Sequence, residues 1–250
     1  MSEFKDIDLF NGLTGNCYKV SEDSYILIVY KPEMKIVWKQ NGKIFENAIT
    51  LCWSFGAIEG SFYFQKEADD KAVMKAQLVG DEIEISEAFK IDIEHSLAQD
   101  RLYYFVKRDD EEDPYSCCAL PINKDYRSTK GTKFMVSLGE TRMNYPIVNG
   151  DFLFLCNEES LTMRMRRYSI DSNEYETQSG LARILFNQHY SFGDYIYYVS
   201  ASDYAAIVRV DTKTMAFTKW ETSTSSINRI VEVNNDGIII QLGSNKLMQA

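Results

Sequence analysis

Six short segments of this chain share one pattern: a turn-forming pair or small polar residue, then a burst of β-favouring apolar side chains. They are Asp23-Ser24-Tyr25-Ile26-Leu27-Ile28, Gly60-Ser61-Phe62-Tyr63-Phe64, Asp100-Arg101-Leu102-Tyr103-Tyr104-Phe105, Gly150-Asp151-Phe152-Leu153-Phe154, Gly193-Asp194-Tyr195-Ile196-Tyr197-Tyr198 and Asp236-Gly237-Ile238-Ile239-Ile240. Their first apolar residues stand at 25, 62, 102, 152, 195 and 238, in steps of 37, 40, 50, 43 and 43. A period of about 40–45 residues built from β-rich bursts and turns is the signature of a β-propeller with four strands per blade. The spacing predicts an all-β, six-bladed β-propeller occupying a single domain, 1–250. A large antiparallel sandwich or barrel is the rival, because hairpins alone do not require radial closure.

The order inside each repeat supports this reading. An apolar strand precedes the marker strand, a polar loop follows it, and a third and fourth strand are joined by a tight turn. The clearest of these turns are Gln40-Asn41-Gly42-Lys43, Val79-Gly80-Asp81-Glu82, Asp171-Ser172-Asn173-Glu174 and Asp211-Thr212-Lys213-Thr214. Asn-Gly between apolar runs is a strong hairpin signal. In the third repeat a longer polar stretch, Asn123–Thr132, accounts for the 50-residue step. The last repeat has room for only part of a blade after Ile238. The segment Phe4–Phe10, apolar at 4, 7, 9 and 10, is expected to supply its outer strand and close the ring.

Composition narrows the class. Pro is only 4 of 250 residues, and 16 Tyr with 14 Phe suit pleated, half-buried surfaces. No stretch approaches the roughly 18 apolar residues of a membrane helix. The N-terminal Met1–Asp8 carries acids and no apolar core of a secretory signal. Five cysteines, an odd number without a CxxC, argue against a disulfide framework or a zinc site. Those features together predict a cytoplasmic protein. The net charge of −10 opposes generic binding to nucleic acid or anionic membrane and favours a cationic partner.

The fourth and fifth repeats carry a resemblance. Gly193-Asp194-Tyr195-Ile196-Tyr197-Tyr198 followed by Ile207-Val208-Arg209-Val210-Asp211 resembles the repeat of bacterial propellers related to the YWTD propeller of lipoprotein receptors. Gly150-Asp151-Phe152-Leu153-Phe154 with Arg167-Tyr168-Ser169-Ile170-Asp171 is similar. The resemblance covers about 85 residues. It implies a propeller and, more loosely, a recognition role.

Catalytic and metal motifs are mostly absent. The chain has no GxSxG, HExxH, GxxxxGK[ST], GxGxxG or DxDxDG, and only two histidines, His95 and His189. No metal and no cofactor are expected. Most acids near the marker strands, such as Asp23, Asp151 and Asp194, fall in turns, where Asp is favoured for its backbone hydrogen bonding. An enzyme acting on a carbohydrate or small molecule remains the alternative, with Glu94, His95 and His189 near the channel mouth.

Alignment of the repeats gives a sharper expectation. Five to nine residues before each marker stand Tyr18, Trp53 with Phe55, His95, Tyr145, His189 with Tyr190, and Arg229. These are placed at the starts of inner strands, around one mouth of the channel. Packing between blades would account for them; so would a recognition surface, since aromatic and Arg anchors dominate binding hot spots. The loops between second and third strands open on the same face. They carry Glu33, Glu67, Asp69, Asp70, the run Asp109-Asp110-Glu111-Glu112-Asp113, Glu158, Glu159 and Asp203, against Lys31, Lys66, Lys71, Lys107 and Arg108. An acidic rim around aromatic anchors predicts recognition of a protein or basic peptide. Arg164, Arg166 and Arg167 form the one basic cluster and read as a solvated strand face or cross-strand ion pairs.

Overall fold

The computed structural model describes residues 3–58, 60–67, 72–90, 95–98, 101–107, 115–121, 134–139, 144–149, 152–159, 162–169, 175–181, 184–200, 204–222 and 226–250. Within 91–188 the description is of backbone strands, with side chains only at Met165 and Arg167; the Trp53 side chain is also outside it.

The strands run β1 (Lys5–Ile7), β2 (Asn16–Ser21), β3 (Ser24–Val29), β4 (Lys35–Gln40), β5 (Lys43–Ala48), β6 (Trp53–Ile58), β7 (Ser61–Gln65), β8 (Ala72–Val79), β9 (Glu82–Lys90), β10 (His95–Ala98), β11 (Arg101–Lys107) and β12 (Tyr115–Pro121). They continue as β13 (Phe134–Gly139), β14 (Asn144–Asn149), β15 (Phe152–Glu159), β16 (Thr162–Ser169), β17 (Tyr175–Leu181), β18 (Ile184–Phe192), β19 (Tyr195–Ser200), β20 (Ala206–Asp211), β21 (Phe217–Glu221), β22 (Ile227–Asn234), β23 (Gly237–Leu242) and β24 (Leu247–Gln249). They pair as four-stranded sheets: β2-β3-β4-β5, β6-β7-β8-β9, β10-β11-β12-β13, β14-β15-β16-β17, β18-β19-β20-β21 and β1-β24-β23-β22. In the last sheet Lys5, Asp6 and Ile7 lie opposite Gln249, Met248 and Leu247, and Lys246 Nζ reaches the Asp6 carboxylate.

The expectation of six blades is corrected. Sheet pairing alone repeats the four-stranded unit along the whole chain. Four blades, namely β2–β5, β6–β9, β18–β21 and β22–β24 with β1, are the ones defined through to packed side chains. The architecture is therefore an all-β propeller with four side-chain-defined blades. Turn spacing reports hairpins and carries no information on which sheet faces bury side chains against a neighbour. Contacts group the chain into two compact units. One is Met1–Ile7, Phe105–Cys118 and Phe134–Ala250; the other is Asp8–Tyr104 and Ala119–Lys133.

Turn chemistry explains the hairpins. Asn41 and Gly42 both have positive φ, 50° and 78°, as a two-residue turn between twisted strands requires. The strand interiors alternate because sheet faces alternate. In the second unit Ile26, Ile28, Ile36, Trp38, Phe62, Phe64, Met74 and Ile83 form one buried cluster between the sheets β2–β5 and β6–β9. Inside it Trp38 Nε1 donates to Ser24 Oγ at 2.6 Å, so the indole keeps its hydrogen bond out of water. In the first unit Val199, Ile207, Ile227, Ile230, Val233, Ile238, Ile240 and Leu242 fill the space between β18–β21 and β22–β24.

Candidate functional site

The first strand of each sheet carries the residues singled out from the repeats. Trp53 is the first residue of β6, His95 the first of β10, Tyr145 the second of β14 and Arg229 the third of β22. His189 is the sixth residue of β18, so it does not begin its strand as expected. Register removes the discrepancy in level. Trp53 pairs with Gln65, His95 with Tyr104, His189 with Tyr198 and Arg229 with Gln241. Each partner is the fourth or fifth residue of its second strand. β18 is longer because its pairing is irregular between Ile184 and His189. Within the first unit β18 is in contact with both β14 and β22, and within the second β6 is in contact with both β2 and β10. Tyr145, His189 and Arg229 therefore stand on three neighbouring strands, and Tyr18, Trp53 and His95 on three others.

Where side chains are described, their surroundings differ. Tyr18 has a packing role: its ring lies 4.9 Å from Phe62, tilted by 57°, and its hydroxyl is 2.5 Å from Ser54 Oγ on the next sheet. Cys52 N donates to Gln65 O at 2.8 Å and so fixes the start of β6 where Trp53 stands. His189 is half-buried, and adjacent Tyr190 points to the opposite face, into the Val/Ile cluster. Burial holds the Tyr190 phenol above its ordinary pKa; the negative charge of Glu232 adds to this, and a hydrogen bond with the Val233 backbone opposes it. Glu232 is itself buried and accepts from Asn234 Nδ2 at 2.8 Å. Arg229 is half-buried and stands opposite fully buried Gln241.

The acidic rim is only partly within view. Asp109, Asp110, Glu111, Glu112 and Asp113 lie outside the described residues, as do Asp69, Asp70, Asp203 and Glu94. Glu158 and Glu159 belong to strand β15 and not to the loop after it. Among the described loop residues, exposed Glu33 and Glu67 are balanced by exposed Lys31 and Lys66. Among the described residues no group of three or more His, Cys, Asp or Glu gathers as a metal site.

Two arrangements escaped the sequence reading. Arg167, from the basic cluster, donates to the carbonyls of Thr212 (2.7 Å) and Lys213, which clamps the β20–β21 turn of the following sheet. Arg209 is stacked against Tyr195 and Trp220. Alternation of Tyr195, Tyr197 and Trp220 signals a shared face, but which cation joins them depends on strand pairing.

Similarity to known proteins lies in the fold. No family model matches the chain, and no curated protein matches its sequence. Among solved structures it is similar to a putative oxidoreductase (glucose dehydrogenase) of Thermus thermophilus, with 9% identity over 99% of both chains and a TM-score of 0.55. It is similar to the β-propeller domain of Cps50 (Swd1) from Myceliophteria thermophila, with 8% identity, 91% of this chain and 80% of that one, and a TM-score of 0.51. A chain of the mitotic checkpoint complex matches 98% of this chain over 78% of its own, at 8% identity and a TM-score of 0.52. These likenesses show a β-propeller fold. The YWTD-type resemblance of the fourth and fifth repeats finds no counterpart in a family match.

Proposed function

We propose that the chain is a protein-recognition module, and that it holds a basic peptide or a Lys/Arg-rich surface at the sheet ends where the first strands begin. One observation carries the reading. On three neighbouring first strands of the first unit, β14, β18 and β22, an aromatic residue, a histidine and an arginine recur near one level: Tyr145, His189 and Arg229. Anchors repeated at one level suit an extended partner better than a single small molecule. The net charge of −10 supplies long-range attraction for a cationic partner. The checkpoint-complex neighbour is part of a protein assembly, and a propeller is compatible with such use. In this reading Asp109, Asp110, Glu111 and Glu112 form the acidic side of the contact, and Tyr145, His189 and Arg229 orient the bound chain.

The test is capture from lysate at low and moderate salt. Wild type is compared with a variant carrying Asn or Ser at 109–113, and with Arg229→Ala. A basic protein retained by wild type, weakened by salt and lost by both variants supports the proposal. Identical recovery by all three proteins overturns it.

A further inference from the structure

Arg209 on β20 lies beside two aromatic rings, its guanidinium carbon 4.5 Å from the Tyr195 ring centroid and 4.8 Å from that of Trp220. The frame is itself held in place. Tyr197 stacks on Trp220 with centroids 6.4 Å and planes 17° apart, and meets Tyr195 edge-on. Across the sheet, Arg209 stands directly opposite Tyr197 on one side and exposed Thr218 on the other. Strand alternation puts all five side chains on one face.

Stacking on aromatic faces leaves the five N–H donors of a guanidinium unused, because they lie in its plane. Among the described residues no carboxylate pairs with Arg209, in a chain with 37 acids against 27 bases. The acids at this end of the sheet are engaged elsewhere. Asp211 Oδ1 accepts from the backbone N–H groups of Lys213 (2.9 Å) and Thr214 (2.8 Å), and Asp194 Oδ2 accepts from Lys213 Nζ at 2.5 Å. At the opposite end of β21, Glu221 pairs with Lys219 at 3.6 Å. The arginine is thus pre-oriented by aromatic contacts and still able to donate.

We propose that Arg209 is an anchor for a side-chain carboxylate of an acidic peptide segment, bound bidentate through the guanidinium edge with the Thr218 hydroxyl as a third donor. The planar fork matches a carboxylate, and orientation by the rings lowers the entropy lost on binding. β21 is the last strand of its sheet and most of its side chains are exposed, so an extended peptide can lie along it. The net charge of −10 repels acidic chains at long range, so selection here is by short-range hydrogen bonding. The site stands on the third and fourth strands of its sheet and is independent of the first-strand surface proposed above.

The experiment is an NMR titration of labelled protein at about 0.15 M salt, where screening acts over roughly 8 Å. The probe is an acetylated, amidated tetraglutamate peptide, with tetraglutamine and inorganic phosphate as controls. The Arg209 Nε–H and Trp220 indole N–H resonances are expected to move together with tetraglutamate and to stay still with tetraglutamine. Arg209→Lys keeps the charge and loses the fork, and is expected to weaken binding about tenfold. Thr218→Val, at an exposed position, is expected to weaken it by a smaller factor with the fold unchanged. The proposal is overturned if tetraglutamate moves neither resonance, if both variants bind as wild type does, or if phosphate binds at these resonances more tightly than the peptide.

Discussion

The two described cores fill the same four-stranded frame with different chemistry. Between β2–β5 and β6–β9 three rings, Trp38, Phe62 and Phe64, stand among Ile26, Ile28, Ile36, Met74 and Ile83, with Tyr18 packed against them. Between β18–β21 and β22–β24 the buried cluster holds no ring among the described residues and is made of Val, Ile and Leu242, with the aromatics Tyr190, Tyr197 and Trp220 at its margin. A ring concentrates stability in one side chain; a set of β-branched residues spreads it over many small ones. The aromatic core should therefore be fragile at single positions and the aliphatic core tolerant.

Phe62→Ala is the strongest test. Phe62 is fully buried and touches the Tyr18 ring, and it stacks near Phe64 at 6.0 Å. Its truncation should cost about 3–5 kcal/mol, measured by denaturant unfolding. A cost below about 1 kcal/mol would mean the core collapses around the hole, and the contrast between the two cores would vanish.

Next comes Gly237→Ala, which acts on backbone and not on core chemistry. Gly237 has φ of 147°, and an added Cβ would meet Ala250 O at 2.1 Å, in the pairing that brings the C-terminal segment against β23. Gly15 in the other unit is similarly confined, with Ile28 O 2.1 Å from its would-be Cβ. Each substitution to Ala should cost about 1–3 kcal/mol, again by denaturant unfolding. Equal losses at both sites would show that backbone confinement is indifferent to what fills the neighbouring core. The aliphatic core gives the smaller effect that completes the contrast: Ile240→Val, at a fully buried site, should cost about 0.5–1.5 kcal/mol.

What could be read from sequence follows the range of the interactions. Hairpins are local, and Asn41-Gly42 or Gly193-Asp194 announce themselves because the turn needs a residue tolerant of positive φ. The closing strand was legible because the last repeat lacked one. The end of the first strands was legible as a register position, although His189 sits deeper in β18 than a count from its start suggests. Blade packing was not legible, since it depends on which side chains face which neighbouring sheet. Arg167 reads as a solvated strand residue until strand pairing brings it to the Thr212 and Lys213 carbonyls. Arg209 and Trp220 are eleven positions apart, and only the β20–β21 register makes them neighbours.

The smallest effect distinguishes the turns that close the two kinds of blade. Between β4 and β5 the backbone itself makes the turn, through Asn41 and Gly42. Between β20 and β21 a side chain does so: Asp211 holds the N–H groups of Lys213 and Thr214 while Met215 adopts φ of 57°. The Thr214 backbone hydrogen bond, against an opposing effect of burial, holds the Asp211 carboxyl below its usual pKa, with help from the Lys213 N–H. A carboxyl with a lowered folded pKa stabilises the folded state above its unfolded pKa of about 3.9 and loses that effect as pH falls through the folded value. Asp211→Asn should therefore cost about 0.5 kcal/mol at neutral pH, the low end for an exposed hydrogen-bonded group. The deficit should shrink toward zero below the folded pKa. Tm measured from pH 7 to pH 3 for both proteins checks this. A constant gap across that range would assign the turn to backbone geometry, as in β4–β5, and remove the distinction between the two turns.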